Sequence, residues 1–212
     1  MFISFEGTDG SGKTTQISRL VEHLQGRGLP IFATREPGGT PIGDQIREVL
    51  HRLDNQQMHP HAEVLLYAAS RAQLVAQELR PRLARGEIVI CDRYLDSTLA
   101  YQGYGHGLAP DLLKPILTFA TQGLRPDLTL FLAVSPEQAL QRRKQAAQQG
   151  AEWNRLDAFD EAFHRRVWAG YQALIAAEPE RWVTIDASQP IDAVQDQIRA
   201  VLGGYPAFAQ GA

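Results

Sequence analysis

The sequence holds one cysteine, Cys91, in 212 residues, so no disulfide can form within the chain and burial must hold the fold together. Neither sign of charge dominates: 21 Lys and Arg stand against 24 Asp and Glu, a formal balance of -3. No global basic field therefore draws the chain to nucleic acid or to an acidic membrane surface, and any positive charge that matters must be local. Long apolar runs are also missing. The N-terminal one, Met1 to Phe5, meets Glu6 too soon for a signal peptide or a spanning helix. No internal repeat and no low-complexity block is present. These absences predict a soluble protein in a reducing, cytoplasmic setting. With 44% hydrophobic residues, the length suits one compact domain over 1–212.

What is present alternates. Short apolar or β-branched runs at Phe2 to Phe5, Ile31 to Ala33, Ile88 to Cys91, Leu128 to Val134 and Val183 to Ile185 are separated by longer segments of helical period. That pattern predicts a parallel α/β sheet with helices around it. Thr40-Pro41 reads as an N-cap followed by proline at the first helical position, with Ile42, Ile46, Val49, Leu50 and Leu53 on one face. Pro60, Pro110, Pro136 and Pro190 each mark a place where another helix can begin, and His59 and His61 read as surface residues at a helix entry rather than metal ligands. The stretch QAAQQGAEW, 145 to 153, reads as a mobile loop or frayed junction, and the tail from Gly203 as loosely held.

Glycine is concentrated at the end of the first strand. Gly7, Thr8, Asp9, Gly10, Ser11, Gly12, Lys13 and Thr14 match G-x-x-x-x-G-K-S/T between a strand and a helix, the context expected of a phosphate-binding P-loop. Glycines let backbone N–H groups turn around phosphate oxygens, and the helix start adds its positive end. Lys13 would bridge the β- and γ-phosphates of ATP, and Thr14 would offer its hydroxyl to Mg²⁺. Asp92 closes the third apolar strand where ligands collect in doubly wound folds, placed like a carboxylate that holds Mg²⁺; the plainer reading is an Asp cap beside a solvated Arg93. The guanine-reading word Asn-Lys-x-Asp of GTP-dependent switches does not occur.

The P-loop, TREPGGT (34 to 40), YAASR (67 to 71), DRYLDSTLAYQG (92 to 103) and an arginine-bearing segment after Pro136 occur in one order, and the chain resembles the thymidylate kinases over nearly its whole length. The resemblance implies a P-loop NTPase fold with a five-stranded parallel sheet, a homodimer, and ATP- and Mg²⁺-dependent phosphorylation of dTMP to dTDP for dTTP synthesis. A kinase acting on dUMP or on a nucleoside is the alternative, kept open by Glu36. It also implies Arg35 and Arg93 near the acceptor phosphate, Tyr67 and Arg71 on thymine, Ser97, Thr98 and Gln102 around base and acceptor, Tyr101 against C2', and Pro37 and Leu53 as walls. Asp9 would approach the 3'-hydroxyl, although the motif leaves that position free for any small polar residue. Because the loop between Thr8 and Ser11 lacks a basic residue, the resemblance implies that a lid at about 142–156 supplies the cation over the γ-phosphate. Arg142 and Arg155 are the choices among Arg142, Arg143, Lys144 and Arg155; a solvated basic helix face is the other reading. Ala187 and Ser188 are the candidates for the adenine pocket.

Overall fold

The computed structural model describes residues 1–150 and 153–209; Ala151 and Glu152 of the expected lid, and residues 210–212 of the tail, lie outside that range. The chain runs β1 (Phe2–Glu6), α1 (Lys13–Gly26), β2 (Ile31–Arg35), α2 (Pro41–His51), α3 (Pro60–Leu74), α4 (Arg80–Ala84), β3 (Ile88–Asp92), α5 (Leu95–Thr98), α6 (Pro110–Thr121), β4 (Leu128–Ala133), α7 (Pro136–Gln148), α8 (Glu161–Ala177), β5 (Trp182–Asp186), α9 (Ile191–Gly203) and α10 (Pro206–Ala209). Short π-helical segments join α3 to α4 and follow α5. The sheet has the order β2-β3-β1-β4-β5 with every neighbouring pair parallel.

Successive side chains of a strand point to opposite faces, and here both faces are covered, so β1 is buried at all five positions. Ile3, Phe5, Ile90 and Leu130 pack against Leu20 and Leu24 of α1 and Ile198 and Leu202 of α9. Phe2, Val89 and Cys91 pack against Leu74 of α3 and Leu113 and Leu117 of α6. Phe131 and Trp182 lie under Val167 and Tyr171 of α8. Each such apolar side chain contributes about 1.5–3 kcal/mol on burial.

Parallel register aligns the carboxyl ends of the strands. Asp92 lies opposite both Phe5 and Arg35. The ladder continues past them, since Glu36 N–H donates to Asp92 O and Arg93 N–H to Phe5 O, both at 2.9 Å. Glu6, Arg35, Glu36, Asp92 and Arg93 therefore meet along one edge with the glycine loop.

Several sequence expectations change in detail. Four strands extend into flanking residues, to Glu6, Arg35, Asp92, and Trp182 and Asp186, because neighbouring strands pair with their backbone whatever the side chain. Thr40 caps α2, its hydroxyl accepting from Gly43 N–H at 3.0 Å. Leu53 is not on that helix: α2 ends at His51, and Leu53 opens a 3-10 turn. Of the predicted face, Leu50 is buried, whereas Ile42 and Val49 are 52% and 43% exposed. Residues 145–148 belong to α7 rather than to a loop. The tail is seated further than expected, because Phe208 is buried in the main core and its carbonyl accepts from Arg27 Nη2 at 2.8 Å.

Candidate active site

Each of α2, α3, α6, α7, α8 and α9 carries an acidic residue in its first turn, which complements the positive helix end. Helix α1 carries none, and its N-cap Gly12 makes no side-chain cap. Its amino end, at the centre of the sheet edge, is thus left for an external anion. Gly10 has φ 88°, and a Cβ there would lie 2.2 Å from the carbonyl oxygen of Ala139 in α7, so only glycine lets the loop pass beneath that helix. Lys13 Nζ spans the loop, donating to the carbonyls of Gly7 and Thr8, both at 3.1 Å. Burial, then the Arg93 charge, lowers its pKa.

Beside the loop, Thr14 Oγ1 donates to Asp92 Oδ2 at 3.1 Å, and Asp92 Oδ1 is buried without a protein hydrogen-bond partner. A carboxylate oxygen left over next to a hydroxyl is a hard-oxygen pair suited to Mg²⁺, which takes few protein ligands when phosphates supply the others. Among the described residues no group of three or more His, Cys, Asp or Glu forms a metal cage.

Arg93 organises the floor. Its backbone has φ 71°, a left-handed conformation that turns the side chain back toward the loop. Nη1 donates to Ser97 Oγ at 3.0 Å and Tyr171 Oη at 3.2 Å; Nη2 donates to Asp9 Oδ1 and Tyr101 Oη, both at 3.0 Å. Arg93 is thus the counter-charge for the carboxylate that Asp9 places inside a phosphate-binding loop. Burial would raise the Asp9 carboxyl, but the charges of Arg93 and Lys13 outweigh it and hold it below the usual carboxylate range. Under this layer lies Glu6, wholly buried, accepting from Tyr94 N–H at 2.8 Å, Ser97 Oγ at 2.6 Å and Tyr171 Oη at 2.8 Å. Burial, then the nearby Asp96 charge, pushes its carboxyl up to about 7.

A cleft next to this floor is lined by Glu36, Tyr67, Arg71, Arg93, Ser97, Thr98, Tyr101, Gln102 and Leu156. Arg71, only 1% exposed, is held by Glu36 Oε2 at 2.7 Å from Nε, by Thr98 Oγ1 at 3.1 Å and by Tyr94 O at 3.1 Å. Burial raises the Glu36 carboxyl despite this arginine. A planar cation, a phenol and an amide in a half-apolar slot can read a small planar heterocycle.

Four expected substrate residues fall outside that lining, and of these Asp9 borders it from the glycine loop through Arg93. Arg35 is half exposed and donates to Asp44 at 3.2 Å; Pro37 offers its carbonyl to Arg47 at 3.1 Å; Leu53 is 45% exposed beside His51, Arg52 and Trp153. Arg142 Nη1 donates to Ala187 O at 2.9 Å, next to the expected adenine residues. Arg155 is buried against Leu50 O at 3.0 Å and the carboxylate of Glu63. Of the cations expected to belong to a lid, Arg143 borders the glycine loop, lining a recess with Thr8, Asp9, Asp157 and His164 and binding Asp157 at 2.7 and 2.6 Å. Adjacent helical residues point about 100° apart, so the choice among 142 to 144 depends on how α7 lies.

Sequence reasoning missed Glu6, Glu63, Tyr171 and Leu156. A carboxylate ending an apolar strand was a usable signal for Glu6. Glu63 precedes Tyr67 and Arg71 at spacings of four along one helix, which places it on their face. Nothing local pointed to Tyr171.

A thymidylate kinase family profile matches residues 5–198. The thymidylate kinase of Roseiflexus sp. (strain RS-1) is 50% identical over 213 residues, covering 97% of this chain and 94% of the relative. That of Exiguobacterium sp. (strain ATCC BAA-1283 / AT1b) is 50% identical over 198 residues, covering 93% and 92%. That of Deinococcus radiodurans is 49% identical over 203 residues, covering 95% and 96%.

Proposed function

The chain belongs to the thymidylate kinase family, and on that premise we propose that it transfers the γ-phosphoryl group of ATP to dTMP, giving ADP and dTDP on the way to dTTP. The observation that carries the reading is the junction of an uncapped α1 terminus with the Asp9–Arg93–Tyr101 cluster and the planar cleft beside it. An oxygen of the dTMP phosphate attacks the γ-phosphorus while the bond to the ADP oxygen breaks. The acceptor is already ionised, so no strong general base is required. The obstacle is repulsion between anions, which clustered donors and cations offset.

The loop from Gly7 to Thr14 and Lys13 hold the donor phosphates, and Arg93 receives the acceptor phosphate. Asp9 fixes Arg93 and faces the sugar, while Tyr101 crowds the 2' position. Tyr67, Arg71, Thr98 and Gln102 hold the base. Thr14 and Asp92 would hold Mg²⁺, which supplies charge neutralisation of the phosphates. Arg143 borders the loop and is our choice for the lid cation, with Arg142 assigned to the adenine side. Segment 142–156 closes over both substrates and excludes water. A nucleoside acceptor would need a carboxylate base; Glu36 lines the cleft with Oε2 on Arg71 and Oε1 without a protein partner, so the comparison of thymidine with dTMP decides between the two acceptors.

The reading includes a homodimer. Ile42, Leu65, Leu112 and Phe119, 52%, 59%, 46% and 85% exposed on α2, α3 and α6, are the apolar side chains these helices offer to a second copy. It also includes a cytoplasmic location, with Cys91 free and buried; among the described residues no helix is long and apolar enough to cross a membrane.

The test is ADP release with ATP and each of dTMP, dUMP, dCMP, dGMP, AMP and thymidine. We expect dTMP to be preferred. Turnover with thymidine but not dTMP would overturn the assignment.

A further inference from the structure

Three side chains converge on a carboxylate that the transfer chemistry does not use. Glu63, in the first turn of α3, is wholly buried. Its Oε1 accepts from Gln102 Nε2 at 2.5 Å and lies 3.3 Å from His106 Nε2, and its Oε2 takes the guanidinium of Arg155. Burial opposes ionisation of Glu63, but His106, Arg155 and Gln102 outweigh it and hold the carboxyl below its ordinary value. An ionised carboxylate only accepts hydrogen bonds, so an amide can meet it only through its nitrogen. Gln102 is thereby tethered by Nε2, and Oε1 is the acceptor it has left for the cleft it lines. Leu156, next to Arg155, lines the same cleft.

We propose that Glu63 is a positioning residue that locks the Gln102 amide with its oxygen toward the acceptor base, so that the cleft selects a pyrimidine carrying N3–H, with the lid segment latched to the same carboxylate through Arg155. Thymine and uracil present a donor at N3. Cytosine presents a lone pair there, which would face the amide oxygen. Sites built around a specific hydrogen bond reject an analogue that cannot make it by about 10⁴–10⁵. With Glu63 replaced by an amide, Gln102 can turn over and offer Nε2 to N3 of cytosine. The proposal rests on the dTMP kinase reading and adds to it the origin of the base selection.

The experiment measures kcat/KM for dTMP and dCMP, the latter followed at high concentration, for the full chain and for Glu63→Gln and Arg155→Met. In Glu63→Gln the dTMP to dCMP ratio should fall at least about tenfold, with dCMP turnover rising in absolute terms. Arg155→Met should raise KM for both substrates, and because it removes one of the groups that keep Glu63 ionised, its dTMP to dCMP ratio should lie between those of the wild type and Glu63→Gln. An unchanged ratio in Glu63→Gln, or dCMP turnover that does not rise, overturns the proposal. A wild-type protein that does not accept dTMP refutes the kinase reading instead, and is seen first. Should Glu63→Gln fail to fold, NMR of the wild type decides: the Gln102 side-chain amide, assigned by its loss in Gln102→Leu, should show one downfield, slowly exchanging proton. Two fast-exchanging amide protons of ordinary shift overturn the proposal.

Discussion

Replacing Arg93 separates what its side chain does from what its backbone does. The guanidinium makes four hydrogen bonds, to Ser97, Tyr171, Asp9 and Tyr101, and is only 14% exposed. Arg93→Ala removes them and leaves Asp9 without its main counter-charge. Breaking a fully buried ion pair costs about 3–5 kcal/mol. Asp9 keeps 30% of its side chain in solvent, so we expect about 2–3 kcal/mol of lost stability here. Turnover should fall by about 10³ or more, the range for arginines at a transferring phosphoryl group. Because φ is 71°, alanine also inherits a left-handed backbone that costs a residue with a Cβ about 1–2 kcal/mol, whereas glycine does not meet that cost. Arg93→Gly should therefore be as inactive as Arg93→Ala and more stable by about 1 kcal/mol. Urea unfolding, with turnover measured on the same preparations, gives both quantities. If glycine is no more stable than alanine, the backbone argument is wrong; if either variant keeps more than a tenth of wild-type turnover, Arg93 has no role at the phosphate.

Three further outcomes are expected. Glu6 has its carboxyl raised from 4.5 to about 7, so its protonated form favours the fold: that contribution is complete below about 4.5 and is lost as pH rises through about 7. Glu6→Gln should flatten the difference in stability over that window by on the order of 3 kcal/mol, and parallel curves for wild type and variant in chemical unfolding would contradict it. Gly10→Ala should cost several kcal/mol by thermal unfolding and strongly impair ATP binding, because its Cβ meets the Ala139 carbonyl at 2.2 Å; a variant of native stability would show that α7 yields easily. Arg71→Ala should raise KM for dTMP much more than KM for ATP, and it should lose stability by leaving Glu36 buried and unpaired, so equal effects on both substrates would remove its base-reading role.

How much could be read in advance depended on whether the deciding contact is local. The glycine loop, the Thr40 cap and the apolar centres of five strands are local patterns, and each was legible. Strand ends were not, because Glu6 and Arg35 join the ladder only where a neighbour's backbone pairs with them. The resemblance put Arg93 near the acceptor phosphate and Asp9 near the sugar without joining the two, and the left-handed turn that aims Arg93 at Asp9 has no sequence mark. The lid resisted most: Arg142, Arg143 and Arg155 differ in what they touch through Ala187, Asp157 and Glu63, residues set by how α7 and α3 lie in the fold. Glu63 shares its helix face with Tyr67 and Arg71 and was open to discovery by spacing alone.

The sheet order has a consequence for how the molecule is made. β1 leaves the ribosome well before its partners, which are β3, ending at Asp92, and β4, ending at Ala133. At about 5–20 residues per second, an apolar FISFE segment waits on the order of ten seconds before both its flanks can pair. The nascent chain thus carries an unprotected sticky strand while the stretch from β1 to β4 is made, and chaperone demand should fall on that stage rather than on the finished enzyme.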